Sequence, residues 1–159
     1  MRSASPAPGP ADLSARDFTV AVAVSRFNEP VPANLLASAR AAFLELGGTE
    51  EHFRVTWVPG AFELPQAVQR LAAAGQCDGI LALGALVKGE TLHFEVLAYG
   101  VTQALANQST RLPVPLAYGL LTALTMDQAR ERAEPGGNNK GAEALRSLVE
   151  MIQLAADLP

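Results

Sequence analysis

Residues 87–94 read Val-Lys-Gly-Glu-Thr-Leu-His-Phe and follow directly on an apolar run. A glycine, a carboxylate, a hydroxyl and an imidazole thus fall within one short segment that leads into a helical pattern. A helix N-terminus carries unpaired N–H groups and a partial positive charge, so it binds phosphate or another anion. Gly89 would let backbone approach such an anion, Glu90 and Thr91 would offer N–H groups, and Thr91 adds a hydroxyl. The positive end of a helix also favours a neutral imidazole, the form that accepts a proton. His93 is therefore suited to proton transfer on a substrate whose anion rests one turn below. The same residues also fit an ordinary helix start, with Thr91 as N-cap and Glu90 as charge compensation. His93, however, lies beside the apolar stripe of Phe94, Leu97, Ala98, Val101 and Leu105, so the core does not require it.

Other segments carry residues out of keeping with plain loops. Ser-Arg-Phe-Asn-Glu-Pro (25–30) sets Phe27 in a loop, and Pro-Gly-Ala-Phe-Glu (59–63) sets Phe62 and Glu63 behind Gly60. Farther on, Arg132 closes a helical stretch, and Pro-Gly-Gly-Asn-Asn leads to Lys140. The chain's two lysines, Lys88 and Lys140, both fall in these segments. Singly, each has a plainer reading: Phe27 as a hydrophobic staple, Glu63 as a first-turn acid. The loop before Lys140 lacks the spacing of a nucleotide P-loop. His52 reads as solvated. Two distant histidines and one cysteine, Cys77, give no metal-ligand spacing and no intramolecular disulfide.

The elements that must position these residues alternate. Residues 18–25, 53–59, 79–87 and 114–121 have the apolar, β-branched character of strands covered on both faces. Helical spacing occupies 32–46, 62–75, the stretch from Gly89 past Leu105, 125–133 and 141–156, with Gly47-Gly48 and Gly75 as stops. Strand–helix alternation predicts an α/β fold, a three-layer αβα sandwich with a four-stranded parallel sheet, flavodoxin-like in arrangement. In such sheets ligands bind beyond the carboxyl ends of the strands, where the odd segments, including Leu-Leu-Thr (120–122), fall.

Length bounds the rest. At 159 residues the chain is expected to hold an irregular, proline-rich arm over 1–17 and a single domain over 18–159. A net charge of −4 with no basic run argues against nucleic acid and anionic membranes. No apolar run of spanning or signal length occurs, so a cytoplasmic protein is expected. Charged residues make up 18%, against a usual share of about 25%, which suggests surface covered by other subunits.

Together the segments SRFNE, VPGAFELP, LGALVKGETLHFE, GLLT, DQARERA and NNKGAEA resemble the lumazine synthase family, in order and spacing, from Phe18 to Leu158. The resemblance implies an enzyme of riboflavin biosynthesis. It condenses 5-amino-6-(D-ribitylamino)uracil with 3,4-dihydroxy-2-butanone 4-phosphate, releases phosphate and water, and uses no cofactor and no metal. By the same resemblance Phe27 would stack on the pyrimidine, and Ala61, Phe62 and Glu63 would hold the ring and its ribityl chain. Ala85, Leu86 and Val87 would line that pocket, with Tyr118 also at the pyrimidine. Glu90, Thr91 and Arg132 would bind the phosphate ketone, Lys88 and Lys140 would support it, and His93 would transfer protons. Tyr118, Arg132 and Lys140 would come from a neighbouring subunit, so the site implies a homo-oligomer with shared active sites, a pentamer.

Three departures from the family pattern matter. Lys88 stands where Arg is common and loses the planar fork. Tyr118 replaces a common Phe. Pro6, Pro8 and Pro10 oppose an added N-terminal strand, whereas the compact loop before Lys140 fits a sixty-subunit shell, so pentamer and shell both stay open. Two alternatives share the fold. A non-catalytic flavin- or lumazine-binding protein would not require His93 and Arg132, and a riboflavin synthase would not require the anion site.

Overall fold

The computed structural model describes residues 9–136 and 138–159. Four strands, β1 (Val20–Ser25), β2 (Phe53–Val58), β3 (Gly79–Val87) and β4 (Leu116–Ala123), form one sheet in the order β2-β1-β3-β4. All three pairings are parallel. Five helices connect and cover it: α1 (Val31–Glu45), α2 (Leu64–Ala74), α3 (His93–Ser109), α4 (Met126–Ala133) and α5 (Lys140–Asp157). The expected α/β sandwich is thus the observed fold.

Strand periodicity divides the core in two. Val20, Val22 and Val24 of β1 and Leu81, Leu83 and Ala85 of β3 face a core closed by α1, α4 and α5. Ala21 and Ala23 of β1 and Ile80, Ala82 and Leu86 of β3 face a second core with α2 and α3. Successive side chains alternate between faces, so one apolar run serves both layers. Gly75 ends α2 in the left-handed region at φ 65°, as its place in the sequence predicts.

Boundaries differ from the sequence expectation for local reasons. β4 begins at Leu116 rather than near 114 because Pro115 has no N–H, although its carbonyl accepts from Ile80 at 2.9 Å. Leu120–Thr122 therefore lies inside β4 and not beyond it. β1 begins at Val20, since the N–H of Thr19 is taken by the Asp78 carboxylate at 2.7 Å. Ala61–Glu63 forms a single 3₁₀ turn ahead of α2, with Pro65 in the first turn of that helix.

Part of the expected arm, residues 1–8 with Pro6 and Pro8, lies outside the described residues. From Gly9 the chain is irregular and docks on the domain that follows it: Ala15 is buried, and its N–H donates to the Leu46 carbonyl at 2.8 Å. Ser14 N–H donates to Gln153 of α5. Among the described residues no helix is long and apolar enough to cross a membrane.

The tightest joint is between α5 and α1. Gly141, in the first turn of α5, packs so closely on Leu35 that a Cβ would overlap the Leu35 carbonyl. Gly141→Ala would gain about 1 kcal/mol of helix propensity. Backbone overlap costs about 1–3 kcal/mol, more where neither helix can shift. The clash wins, and the variant is expected to melt below wild type in a thermal unfolding scan.

Candidate active site

A parallel sheet puts every strand's carboxyl end at one edge. Connections leave β1 toward β2 and β3 toward β4, in opposite directions, so a crevice opens between them at the edge. A cavity of about 560 Å³ occupies it. The β1 loop contributes Phe27 and Asn28, the β2 loop Gly60 to Glu63, and β3 with its loop Leu86, Val87, Gly89 and Thr91. The start of α3 adds His93, Phe94 and Leu97.

Each side chain has a local reason for its place. Asn28 adopts φ 68°, a left-handed conformation asparagine tolerates well, and its Nδ2 donates to the Ala85 carbonyl at 2.8 Å. That bond spans the crevice and holds the β1 loop so that Phe27, 69% exposed, stands at the cavity mouth. Glu63 closes the β2 loop: its carboxylate accepts from the Gly60 N–H at 3.0 Å, and its own N–H donates to the Gly60 carbonyl. Phe62 is left 71% exposed and lines the same cavity as Phe27 and Phe94.

The segment 88–93 is built differently from the sequence expectation. α3 starts at His93 with Leu92 as its N-cap residue, so Glu90 and Thr91 precede the helix instead of opening it. Thr91 Oγ1 accepts from the His93 N–H at 3.3 Å, a local bond that delays the helix by one position. Lys88 turns away from the cavity and pairs with Glu95 of α3 at 2.9 Å. That hydrogen bond, aided by the residue's own N–H, holds the Glu95 carboxyl below the usual glutamate range.

The sequence-identified residues do not all gather. Phe27, Ala61, Phe62, Glu63, Leu86, Val87, Thr91 and His93 line the one cavity. Ala85 does not: its side chain is in the opposite core, and only its carbonyl, taken by Asn28, faces the crevice. Lys88 and Glu90 are exposed and outside the lining. Tyr118, Arg132 and Lys140 line a separate cavity of about 500 Å³ along the free edge of β4. Tyr118 Oη lies 2.9 Å from Thr102 Oγ1 of α3. Asn28, Phe94 and Leu97 are lining residues that the sequence reading did not single out as site residues, whereas Gly89, expected to admit an anion, is among the lining. Asn28 carried a signal, a turn-favouring residue beside Phe27. Among the described residues no three His, Cys, Asp or Glu side chains gather to hold a metal ion. Cys77 precedes β3 at the other sheet edge, where burial and Asp78 push its thiol upward.

A profile of the 6,7-dimethyl-8-ribityllumazine synthase family matches residues 17–156. The chain belongs to that family. It is 42% identical over 139 residues to the 6,7-dimethyl-8-ribityllumazine synthase of Nautilia profundicola, covering 87% of this chain and 90% of that protein. It is also 42% identical over 142 residues to the enzyme of that name from Thermus thermophilus, covering 89% and 90%. The sequence resemblance drawn from six segments is thus borne out over nearly the whole chain.

The Lys88–Glu95 pair ties the loop carrying Thr91 to α3, and its contribution depends on pH. A depressed carboxyl stabilises the fold above its unfolded value and loses that contribution as pH falls through the folded one. Glu95→Gln removes the charge at every pH. The wild type is expected to melt above Glu95→Gln near neutrality, with the gap closing as pH falls below the ordinary glutamate range. Melting curves across that acid range check the sign; a gap that widened on acidification would contradict it.

Proposed function

We propose that the chain joins 5-amino-6-(D-ribitylamino)uracil to 3,4-dihydroxy-2-butanone 4-phosphate, forming 6,7-dimethyl-8-ribityllumazine with release of phosphate and water, in a site completed by a neighbouring subunit. The supporting observation is the division of labour between the two cavities. The strand-end cavity has aromatic walls in Phe27 and Phe62, the Thr91 hydroxyl and the His93 imidazole, but among the described residues no lysine or arginine lines it. A phosphate dianion in a partly enclosed site needs cationic partners. Arg132 and Lys140 line the other cavity, at the β4 edge. In a closed ring of heterologous contacts, that edge of one subunit meets the strand-end cavity of the next.

The surface of α3 supports such a ring. Leu92, Val96 and Tyr99, spaced by a helical turn, are 75%, 69% and 79% exposed. Burying each side chain is worth about 1.5–3 kcal/mol, so leaving three of them in water is a large forfeit for a lone subunit. The apolar groove beside them shares Phe62 and Leu97 with the strand-end cavity, so closing one face would also wall the site. A pentamer, the state implied by the family resemblance, is the proposed assembly.

Within that site the chemistry is mainly positioning. The amine of the pyrimidine is already nucleophilic, and holding it against the ketone carbonyl removes most of the entropic barrier. Phe27 and Phe62 offer faces on which a flat heteroaromatic ring stacks. His93 moves protons as the imine forms with loss of water and as phosphate departs. Thr91 and the neighbour's cations hold the phosphate end.

Incubating the protein with both substrates is expected to release inorganic phosphate and develop lumazine absorbance and fluorescence together. Arg132→Ala is expected to raise the KM for the phosphate ketone by about 10- to 100-fold, the loss of one charge-assisted hydrogen bond, and to leave the KM for the pyrimidine nearly unchanged. Equal rises for both substrates would remove Arg132 from the phosphate end. His93→Ala is expected to lower kcat by about 10- to 10³-fold with both substrates still bound, because positioning survives loss of the imidazole. Wild-type turnover in that variant would sink the proton-transfer role.

A further inference from the structure

One buried side chain makes four hydrogen bonds at the junction of α4 and α5. Asn139 is 1% exposed, one of two buried polar residues among those described. Its Oδ1 accepts from the N–H groups of Gly141 at 2.8 Å and Ala142 at 3.2 Å. Its Nδ2 donates to the carbonyls of Ala133 at 2.9 Å and Glu134 at 3.1 Å. The two halves of the amide do separate work. The oxygen half caps α5, a task that Ser, Thr or Asp does equally well. The nitrogen half fastens the end of α4 to the start of α5, and among these cap residues only asparagine carries a donor at that reach.

What rides on the two helix ends gives the tie its consequence. Arg132 sits in the last turn of α4, one residue before Ala133, and Lys140 is the first residue of α5. Both line the β4-edge cavity. Gly141, seated on the Leu35 backbone, anchors the start of α5 to α1. A rigid path therefore runs from α1 through the start of α5 and the Asn139 amide to the turn that carries Arg132. Among the described residues neither cation has a strong partner of its own: Lys140 meets Glu143 one turn on, about half exposed, and Arg132 donates to the Gln128 carbonyl within its helix. Exposed pairs of this kind hold a side chain weakly.

We infer that Asn139 is a positioning residue that sets the distance between Arg132 and Lys140, so that both cations meet one phosphate-bearing substrate together. This rests on the proposed reaction and adds to it a specificity device acting on one substrate of the two. It touches neither substrate.

Asn139→Ser keeps a capping oxygen and loses the donor; Asn139→Asp keeps the cap and sets a carboxylate against two carbonyls. Both are expected to fold but to melt below wild type, the carboxylate variant further, because two carbonyls lose their donor. Both are expected to raise the KM for the phosphate ketone, and the inhibition constant of inorganic phosphate, by on the order of tenfold, since a misplacement of about 1 Å at a positioned group is costly. The KM for the pyrimidine and kcat at saturating ketone are expected to stay within about twofold, as positioning of the amine is untouched. A wild-type KM for the ketone in folded Asn139→Ser would overturn the inference. So would equal rises in both KM values, the mark of a merely structural role. Should Asn139→Asp not fold, Asn139→Ser carries the comparison alone. Wild-type protein that made no lumazine would defeat the proposed reaction instead. The tie is then judged by amide hydrogen exchange, where Asn139→Ser is expected to lower the protection of the residue-139 amide, whose N–H donates to the Gly136 carbonyl at 3.2 Å, while α5 stays protected. Unchanged exchange there overturns it.

Discussion

The parallel ladder between β1 and β3, with Val20 opposite Gly79 and Val24 opposite Leu83, brings together segments more than fifty residues apart in the chain. Phe27 follows one strand and Gly89 to His93 the other, so the site exists only where that ladder ends. Small residues let the strands and their covering helices come close there. Gly84 lies against Ser25 so tightly that a Cβ would overlap the hydroxyl. That hydroxyl is buried with no hydrogen-bond partner among the described residues, a cost of the kind tolerated next to functional sites. The Asn28 amide, reaching the Ala85 carbonyl, then staples the loop of one strand to the backbone of the other.

From that edge outward the proposed assembly would complete the site. The chain's strand-end cavity offers aromatic faces and an imidazole, and its β4 edge offers Arg132 and Lys140, on different walls. The exposed face of α3 lies beside the first of these. The proposed assembly would meet both with one neighbour, whose cations would reach this cavity while its apolar surface covered α3. Catalysis and assembly would then share one interface, and loosening it would lower affinity for the phosphate substrate before it touched the chemistry.

A closely packed joint carries the two cations proposed for the phosphate. Most of the described ion pairs are exposed and individually weak. The joint at α4, α5 and α1 relies instead on a buried amide with every group satisfied and on a glycine pressed against backbone. Buried, fully paired polar groups specify one geometry better than surface charges do. The Lys88–Glu95 pair, part-exposed and with one carboxylate oxygen unpaired among the described residues, ties the β3 loop more loosely, and acid releases it.

Much was legible in the sequence because the signals are local. Apolar strands alternating with helical spacing dictate a parallel sandwich, since each face must be covered. Six segments in register identify the family, and Phe27, Phe62 and His93 stand out because each departs from what its element needs. The sequence could not place Ala85, whose side chain is turned to the far core by strand parity counted from the register with β1. Nor could it show that Thr91 accepts the His93 N–H and so precedes the helix, or that Lys88 turns to Glu95. Spacing along the chain says nothing of which wall a residue reaches. That Arg132 and Lys140 line a cavity apart from His93, and that one asparagine amide joins their helices, follows from the tertiary packing of α4 and α5 on α1 and β4, which no local pattern encodes.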